Sequence, residues 1–253
     1  MKISISIDLD DGWTFNSSSS FLITALKNIE LVFDNFKQKP ILFVVARDLP
    51  NIKYSLKNLY SKGFIIGNHS FSHLYNNEID FELKKKEIIL AHNSLVSICK
   101  DIKFYRAPGW TLDQDILNIL NKLNYKVDFS GCIGITFIFL KILHSLRFLK
   151  ISGAYGLISN ILCFKKFNFY KIKNFPLKTI FFVPFYYSFH KFIPLFVLKV
   201  YFLMINKFYN NKHYSYIFHA KDFDNRNLNK TFKTVTLLKN IFEIESNIFF
   251  EKS

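Results

Sequence analysis

Seven polar residues in this chain stand at spacings that chemistry could use. Asp10 and Asp11 are adjacent and followed by Gly12; His69 and His73 bracket the run His69-Ser70-Phe71-Ser72-His73; Arg106 opens Arg106-Ala107-Pro108-Gly109; Asp128 and His219 complete the set. On a helical turn, residues four apart project to one side, about 5–6 Å apart at Cβ, so two imidazoles at that spacing can share one metal ion. On an extended chain, adjacent side chains point apart. One of Asp10 and Asp11 can therefore bind an ion while the other faces a water molecule. Two histidines and one carboxylate, with positions left open for water, make a catalytic metal centre. The expected cofactor is one divalent ion. Zn²⁺ is favoured, with Co²⁺ and Ni²⁺ as alternatives that the same donor set accepts.

The elements that must position these residues follow a regular rhythm. Lys2–Leu9 alternates apolar and polar residues as a strand does. Ser17–Ser20 supplies N-cap residues for a helix over Phe21–Phe36, with Leu22, Leu26, Ile29 and Val32 or Phe33 on one face. Pro40–Ala46 is a continuous apolar run, as a buried parallel strand requires. Helices are predicted over Asn51–Lys62, Ile79–Lys100, Thr111–Leu123 and Leu228–Phe242; strands over Phe64–Gly67, Lys103–Tyr105, Tyr125–Phe129 and Tyr214–His219. Strands alternating with helices build βα units and a parallel sheet. The predicted fold class is α/β, an irregular (β/α) barrel of about seven parallel strands in a single domain over residues 1–253. In such barrels chemistry gathers at the C-terminal ends of the strands. Every predicted strand end but the second delivers an ionisable group, which is not how a purely structural barrel looks.

The ordered motifs resemble carbohydrate esterase family 4, the polysaccharide deacetylases. Asp8-Leu9-Asp10-Asp11-Gly12 stands in place of the family's Thr-Phe-Asp-Asp-Gly. His69-Ser70-Phe71-Ser72-His73 matches its His-Ser/Thr-x-x-His, preceded by an agreeing Gly67-Asn68. Arg106-Ala107-Pro108-Gly109 matches its Arg-x-Pro-Tyr, with Gly109 replacing the tyrosine. The likeness covers residues 1–130 and the motif around His219 (213–225), whereas 131–212 is a divergent apolar, basic region where substrate choice is expected to reside.

The resemblance implies a division of labour. Asp11, His69 and His73 would be the metal ligands and Asp10 the general base. Arg106 would pair with Asp10 and hold its orientation. His219 would be the general acid that protonates the leaving sugar amine, with Asp128 tuning it, and a backbone N–H near Gly109 would help hold the oxyanion. The implied activity is metal-dependent removal of an acyl group, acetyl first, from an N-acylated sugar in cell-surface glycan biosynthesis. The alternatives are hydrolysis of a non-sugar C–N bond, such as a formamide or cyclic amide, on the same fold, and a non-catalytic membrane- or carbohydrate-binding relative. Asp10 and His219 are the residues a decayed enzyme could most easily lose, and both remain.

Composition adds a partner. The formal net charge is +15, and Phe129–Lys221 holds 13 Lys or Arg with no Asp or Glu. The 31 phenylalanines fit an A/T-rich coding bias and carry no function alone. The absence of acids over Phe129–Lys221 is harder to explain that way, because 19 fall elsewhere. Charge asymmetry of this kind points to an anionic partner. Nucleic-acid surfaces are basic but seldom this apolar, so no nucleic acid is expected, and an anionic membrane surface fits both properties. The saccharide substrate is accordingly read as one that a lipid can carry. A spanning helix needs about 20 mostly apolar residues. The apolar runs Phe129–Leu140, Thr179–Phe189 and Phe192–Leu198 are shorter and are broken by lysines or prolines. Cys99, Cys132 and Cys163 show no metal or disulfide spacing, which fits a reducing compartment. The first residues contain no apolar run of signal-peptide length. The expected location is cytoplasmic, with the inner membrane face as a peripheral site.

Overall fold

The structure, a computed structural model, describes residues 1–10, 19–133, 172–175, 177–180, 183–210 and 212–246. Asp11 and Gly12 lie outside the described residues, as does the stretch 134–171. The chain divides into two compact units: Met1–Leu42 with Asp48–Ile65 and Phe185–Ser253, and Phe43–Arg47 with Ile66–Pro184.

The first unit is built on β1 (Lys2–Leu9), which is buried at every position but its first. A strand covered on both faces reads as this one does, with Ile3, Ile5, Ile7 and Leu9 packed to one side and Ser4, Ser6 and Asp8 enclosed on the other. It pairs in parallel with β10 (His213–His219), in a register that sets Asp8 opposite His219, and with β11 (Glu243–Ile244). Helix α1 (Ser19–Phe33) buries Leu22, Leu26, Ile29, Val32 and Phe33, the face its apolar spacing predicts. Helices α2 (Leu49–Ser61), α5 (Tyr187–His190), α6 (Leu195–Phe208) and α7 (Leu228–Ile241) complete the unit. Aromatic rings fill much of its core. Phe185 meets Tyr216 edge-on with centroids 4.9 Å apart and also touches Phe202, Tyr214 and Phe242. Inside this cluster His190 places Nδ1 2.9 Å from the Tyr216 hydroxyl, and burial pushes its pKa down to about 3. It is a neutral core histidine with no part in the motifs.

In the second unit β3 (Ile65–Asn68), β4 (Phe104–Tyr105), β5 (Val127–Asp128) and β7 (Lys173–Asn174) pair in parallel, each with the next. Strand β2 (Ile41–Val44), of which Phe43 and Val44 belong to this unit, is wholly buried. Strand β6 (Cys132–Ile133) pairs in parallel with β8 (Leu177–Ile180), which meets β9 (Val183–Pro184) antiparallel. Helix α3 (Phe81–Val96) starts at Asp80, whose carboxylate accepts the Leu83 N–H at 2.8 Å; α4 (Gln114–Lys122) starts at Asp113, which accepts the Ile116 N–H at 3.0 Å. Each such cap contributes about 0.5–2 kcal/mol. Among the described residues β10, β1, β2, β3, β4, β5 and β7 are the seven strands on the main path of one sheet, with β11 beside β1, in keeping with the about seven that the sequence rhythm predicts.

Candidate active site

In the second unit, the two histidines are brought together by a loop, and this corrects the helical-turn expectation. His69–Tyr75 forms neither helix nor strand, and Ser70 (φ 64°) and His73 (φ 62°) are both in the left-handed region. Non-glycine residues rarely adopt that conformation, and such strain, about 1–3 kcal/mol per residue, persists only where the surroundings fix it. Here they do. The end of β2 and the residues after it hold one side of the loop: His69 N–H donates to the Val44 carbonyl, while Ala46 and Arg47 N–H groups donate to the Ser70 and Phe71 carbonyls, all at 2.9–3.1 Å. The Asn68 side chain accepts the Ser70 N–H at 2.8 Å, Ser70 Oγ accepts the His73 N–H at 3.1 Å, and the buried Glu87 carboxylate on α3 accepts the Ser72 N–H at 2.6 Å. The result sets the two imidazoles edge to face, with centroids 4.9 Å apart.

The chemistry of this pair suits a metal ion. His69 Nδ1 lies 2.7 Å from the Arg106 carbonyl oxygen. That oxygen is an acceptor, so Nδ1 carries the proton and the Nε2 lone pair is left to coordinate. Burial, then the neighbouring His73 charge, holds the His69 pKa well below the usual histidine range. The neutral imidazole is the form that binds a metal.

Arg106 itself is buried and stacks on aromatic faces. Its guanidinium carbon is 4.2 Å from the Phe43 ring centroid and 5.6 Å from that of Phe129. Gly67 makes this stack fit, because a Cβ there would lie 2.7 Å from two Phe43 ring carbons. Gly67→Ala must push Phe43 against Arg106 and Phe129. It is expected to cost about 1–3 kcal/mol as an overpacked core position, read as a lowered urea midpoint at unchanged m-value.

Asp128 ends β5 fully buried, accepting the Ser130 hydroxyl at 2.6 Å and the Ser130 N–H at 3.0 Å. Ser130 Oγ in turn accepts the Ala107 N–H at 2.7 Å, which ties Asp128 to the Arg106-Ala107-Pro108-Gly109 segment. Gly109 has φ 59°, and a Cβ on it would meet the Tyr75 ring at 3.0 Å, so a side chain there would be both strained and crowded.

In the first unit, Asp10 and His219 stand together. His219 Nε2 lies 3.8 Å from Asp10 Oδ2 and 3.9 Å from Asp8 Oδ2. The Tyr186 hydroxyl is 2.8 Å from His219 Nδ1 and 3.2 Å from Nε2, and the His219 N–H donates to the buried Asp222 carboxylate at 2.8 Å. Burial pushes the Tyr186 and Asp222 pKa values up. Asp8, Tyr186 and Glu87 were not singled out by the motifs. Asp8 had a signal, because residues two apart on a strand share a face, which puts it on the same side as Asp10. Tyr186 and Glu87 had none, because only the fold brings them to the motif residues.

Parallel strands in α/β order, with polar residues grouped where they end, define a protein of the (β/α)-barrel class. The family model for polysaccharide deacetylase matches residues 2–127, and through this half the chain belongs to the polysaccharide deacetylase family. No curated protein sequence matches the chain. Solved structures share its fold across almost its whole length. A Mycobacterium smegmatis protein assigned to the polysaccharide deacetylases superimposes with TM-score 0.62 at 10% identity, covering 95% of this chain and 83% of its own. A family 4 carbohydrate esterase from Streptomyces lividans, solved with acetate, gives TM-score 0.54 at 8% identity, covering 94% and 88%. A family 4 pseudoenzyme from Bacillus anthracis gives TM-score 0.53 at 9% identity; the match covers 96% of this chain, which spans 62% of that one. At these identities the likeness is one of fold, and the irregular (β/α) barrel expected from the sequence is the fold this chain has.

Proposed function

We propose that this chain is a metal-dependent hydrolase that removes an acyl group, acetyl first, from an N-acylated sugar. The observation that carries the reading is the His69–His73 pair on its pinned loop, with the His69 proton fixed on Nδ1 by the Arg106 carbonyl. A loop strained at two non-glycine residues and held by six hydrogen bonds is costly unless the side chains it aims have a use.

His69, His73 and one of the carboxylates at the end of β1, assigned to Asp11, would hold one divalent ion, Zn²⁺ first. Such an ion supplies Lewis-acid polarisation of the acyl carbonyl and eases deprotonation of water. Asp10 takes the proton from the attacking water. Arg106 holds Asp10 in orientation. His219 gives a proton to the departing amine, with Asp8, Tyr186 and Asp222 fixing its ring and backbone. Asp128 holds Ser130 and, through it, the Ala107 N–H, so its effect falls on the Arg106–Gly109 segment at least as directly as on His219. The N–H near Gly109 is assigned to the oxyanion. The basic, apolar stretch Phe129–Lys221 supports a substrate carried on a lipid.

The test is mass spectrometry of N-acetylated saccharides, free, nucleotide-linked and lipid-linked, incubated with protein loaded in turn with Zn²⁺, Co²⁺ and Ni²⁺. Loss of one acyl mass, abolished by a chelator, is the expected result. Acyl loss from a formamide or cyclic amide alone would move the chain to the C–N hydrolase reading. No loss from any substrate, with sugar bound, would make it a non-catalytic relative.

A further inference from the structure

The solvent-facing side of α6 is apolar where a helix on a protein surface is normally polar. Its inward positions Leu198, Phe202 and Ile205 are buried. Its outward positions are Phe196 at 73% exposure, Val197, Val200, Leu203, Met204 and Phe208 at 64%, joined by Phe192 at 79% one turn before the helix. Positions 196, 200, 203, 204 and 208 follow the i, i+4, i+7, i+8, i+12 pattern of one helical stripe. The only charged residues in the helix, Lys199 and Lys207, are exposed too, and Lys191 and Lys212 flank it. No acid occurs between Asp128 and Asp222.

We propose that α6 is an in-plane docking helix for an anionic lipid bilayer. A contiguous apolar face on a surface helix marks an interaction site. Charge chooses the bilayer over a second copy of this chain. Among the described residues of the helix and its flanks, the charges on and beside this face are all lysines, which attract an anionic leaflet. Lysine stems can lie along an apolar layer while the ammonium groups stay at the headgroups. A second copy of this chain seated on the same face would bring Lys199 and Lys207 of each copy together, with no acid on either helix to neutralise them. The helix has 14 residues. At about 1.5 Å per residue it is about 21 Å long, well short of the roughly 30 Å hydrocarbon core of a bilayer. No helix among the described residues is long and apolar enough to cross a membrane, so α6 lies on the surface rather than through it. This inference stands apart from the deacetylase reading, since docking needs no turnover.

The experiment is flotation of the full chain with vesicles of phosphatidylcholine alone and of phosphatidylcholine with phosphatidylglycerol, alongside sedimentation velocity without lipid. The wild type is expected to float with the anionic vesicles and to bind neutral ones at least about tenfold more weakly. Phe196→Ser, Val200→Ser and Phe208→Ser together should cut flotation about tenfold or more at unchanged circular dichroism. Lys199→Glu with Lys207→Glu should remove the preference for phosphatidylglycerol while the fold stays intact. A wild type that stays with neither vesicle, or a triple variant that floats as well as the wild type, overturns the proposal. A wild-type dimer that the triple variant converts to monomer assigns the face to a second copy and overturns it too.

Discussion

His69→Ala and His73→Ala are each expected to release the bound ion and to lower turnover by roughly 10³-fold or more, because the polarisation such an ion supplies is worth several kcal/mol and each ~1.36 kcal/mol is tenfold in rate. The two variants are not equivalent in what else they disturb. His69 is buried and its Nδ1 proton is held by the Arg106 carbonyl, so Ala there also removes a donor to that carbonyl and opens a small void beside Phe43. His73 is partly exposed, and its backbone hydrogen bond to Ser70 Oγ survives a side-chain change. His73→Ala is thus the cleaner reading of ligation, and His69→Ala the larger loss overall. Metal content by inductively coupled plasma mass spectrometry and amine release, measured on the same preparation, check both. If both variants keep one equivalent of metal at full occupancy, the pair is not a ligand set.

Most of the framework was legible in the sequence because its elements are strongly periodic. β1 has the bounds its alternation predicts, α1 buries the predicted face, and β10 carries His219 at its end. What was not legible has identifiable causes. The His69–His73 spacing reads as a helical turn, but backbone hydrogen bonds from Ala46 and Arg47, far earlier in the chain, hold the segment in a loop instead. Helix α6 was hidden because Pro194 reads as a breaker inside an apolar run; in the structure it precedes the first helical residue, where its fixed φ and missing N–H cost nothing. A helix apolar on its outer side as well as its inner one also lacks the alternation that periodicity reads. The part played by Asp8 was present in the strand pattern, but the adjacent Asp10-Asp11 pair is the stronger motif and masks it.

Asp10→Asn is expected to leave metal content near one equivalent and to lower turnover by about 10²–10⁴-fold, the contribution of a positioned general base. Asparagine keeps the size of the side chain, but it cannot take a proton, carries no negative charge and presents an N–H donor where one carboxylate oxygen stood. The buried setting of Asp10 therefore changes little in packing, and a loss of rate at constant metal separates its role in turnover from metal ligation. Asp11→Asn is expected to do the opposite and lose the metal. The strand geometry makes the comparison sharp. Side chains alternate along an extended chain, so Asp8 and Asp10 share a side, and the ligand role of Asp11 is what the family resemblance implies. Consistent with that shared side, Asp8 and Asp10 lie 3.9 Å and 3.8 Å from the same His219 nitrogen. If Asp10→Asn loses the metal while Asp11→Asn keeps both metal and rate, the ligand role passes to Asp10. The base is then sought at Asp8, the carboxylate already facing His219. Asp8→Asn supplies the deciding third measurement: under the present assignment it perturbs the rate less than Asp10→Asn, and under the reversed one it takes over the full loss of about 10²–10⁴-fold.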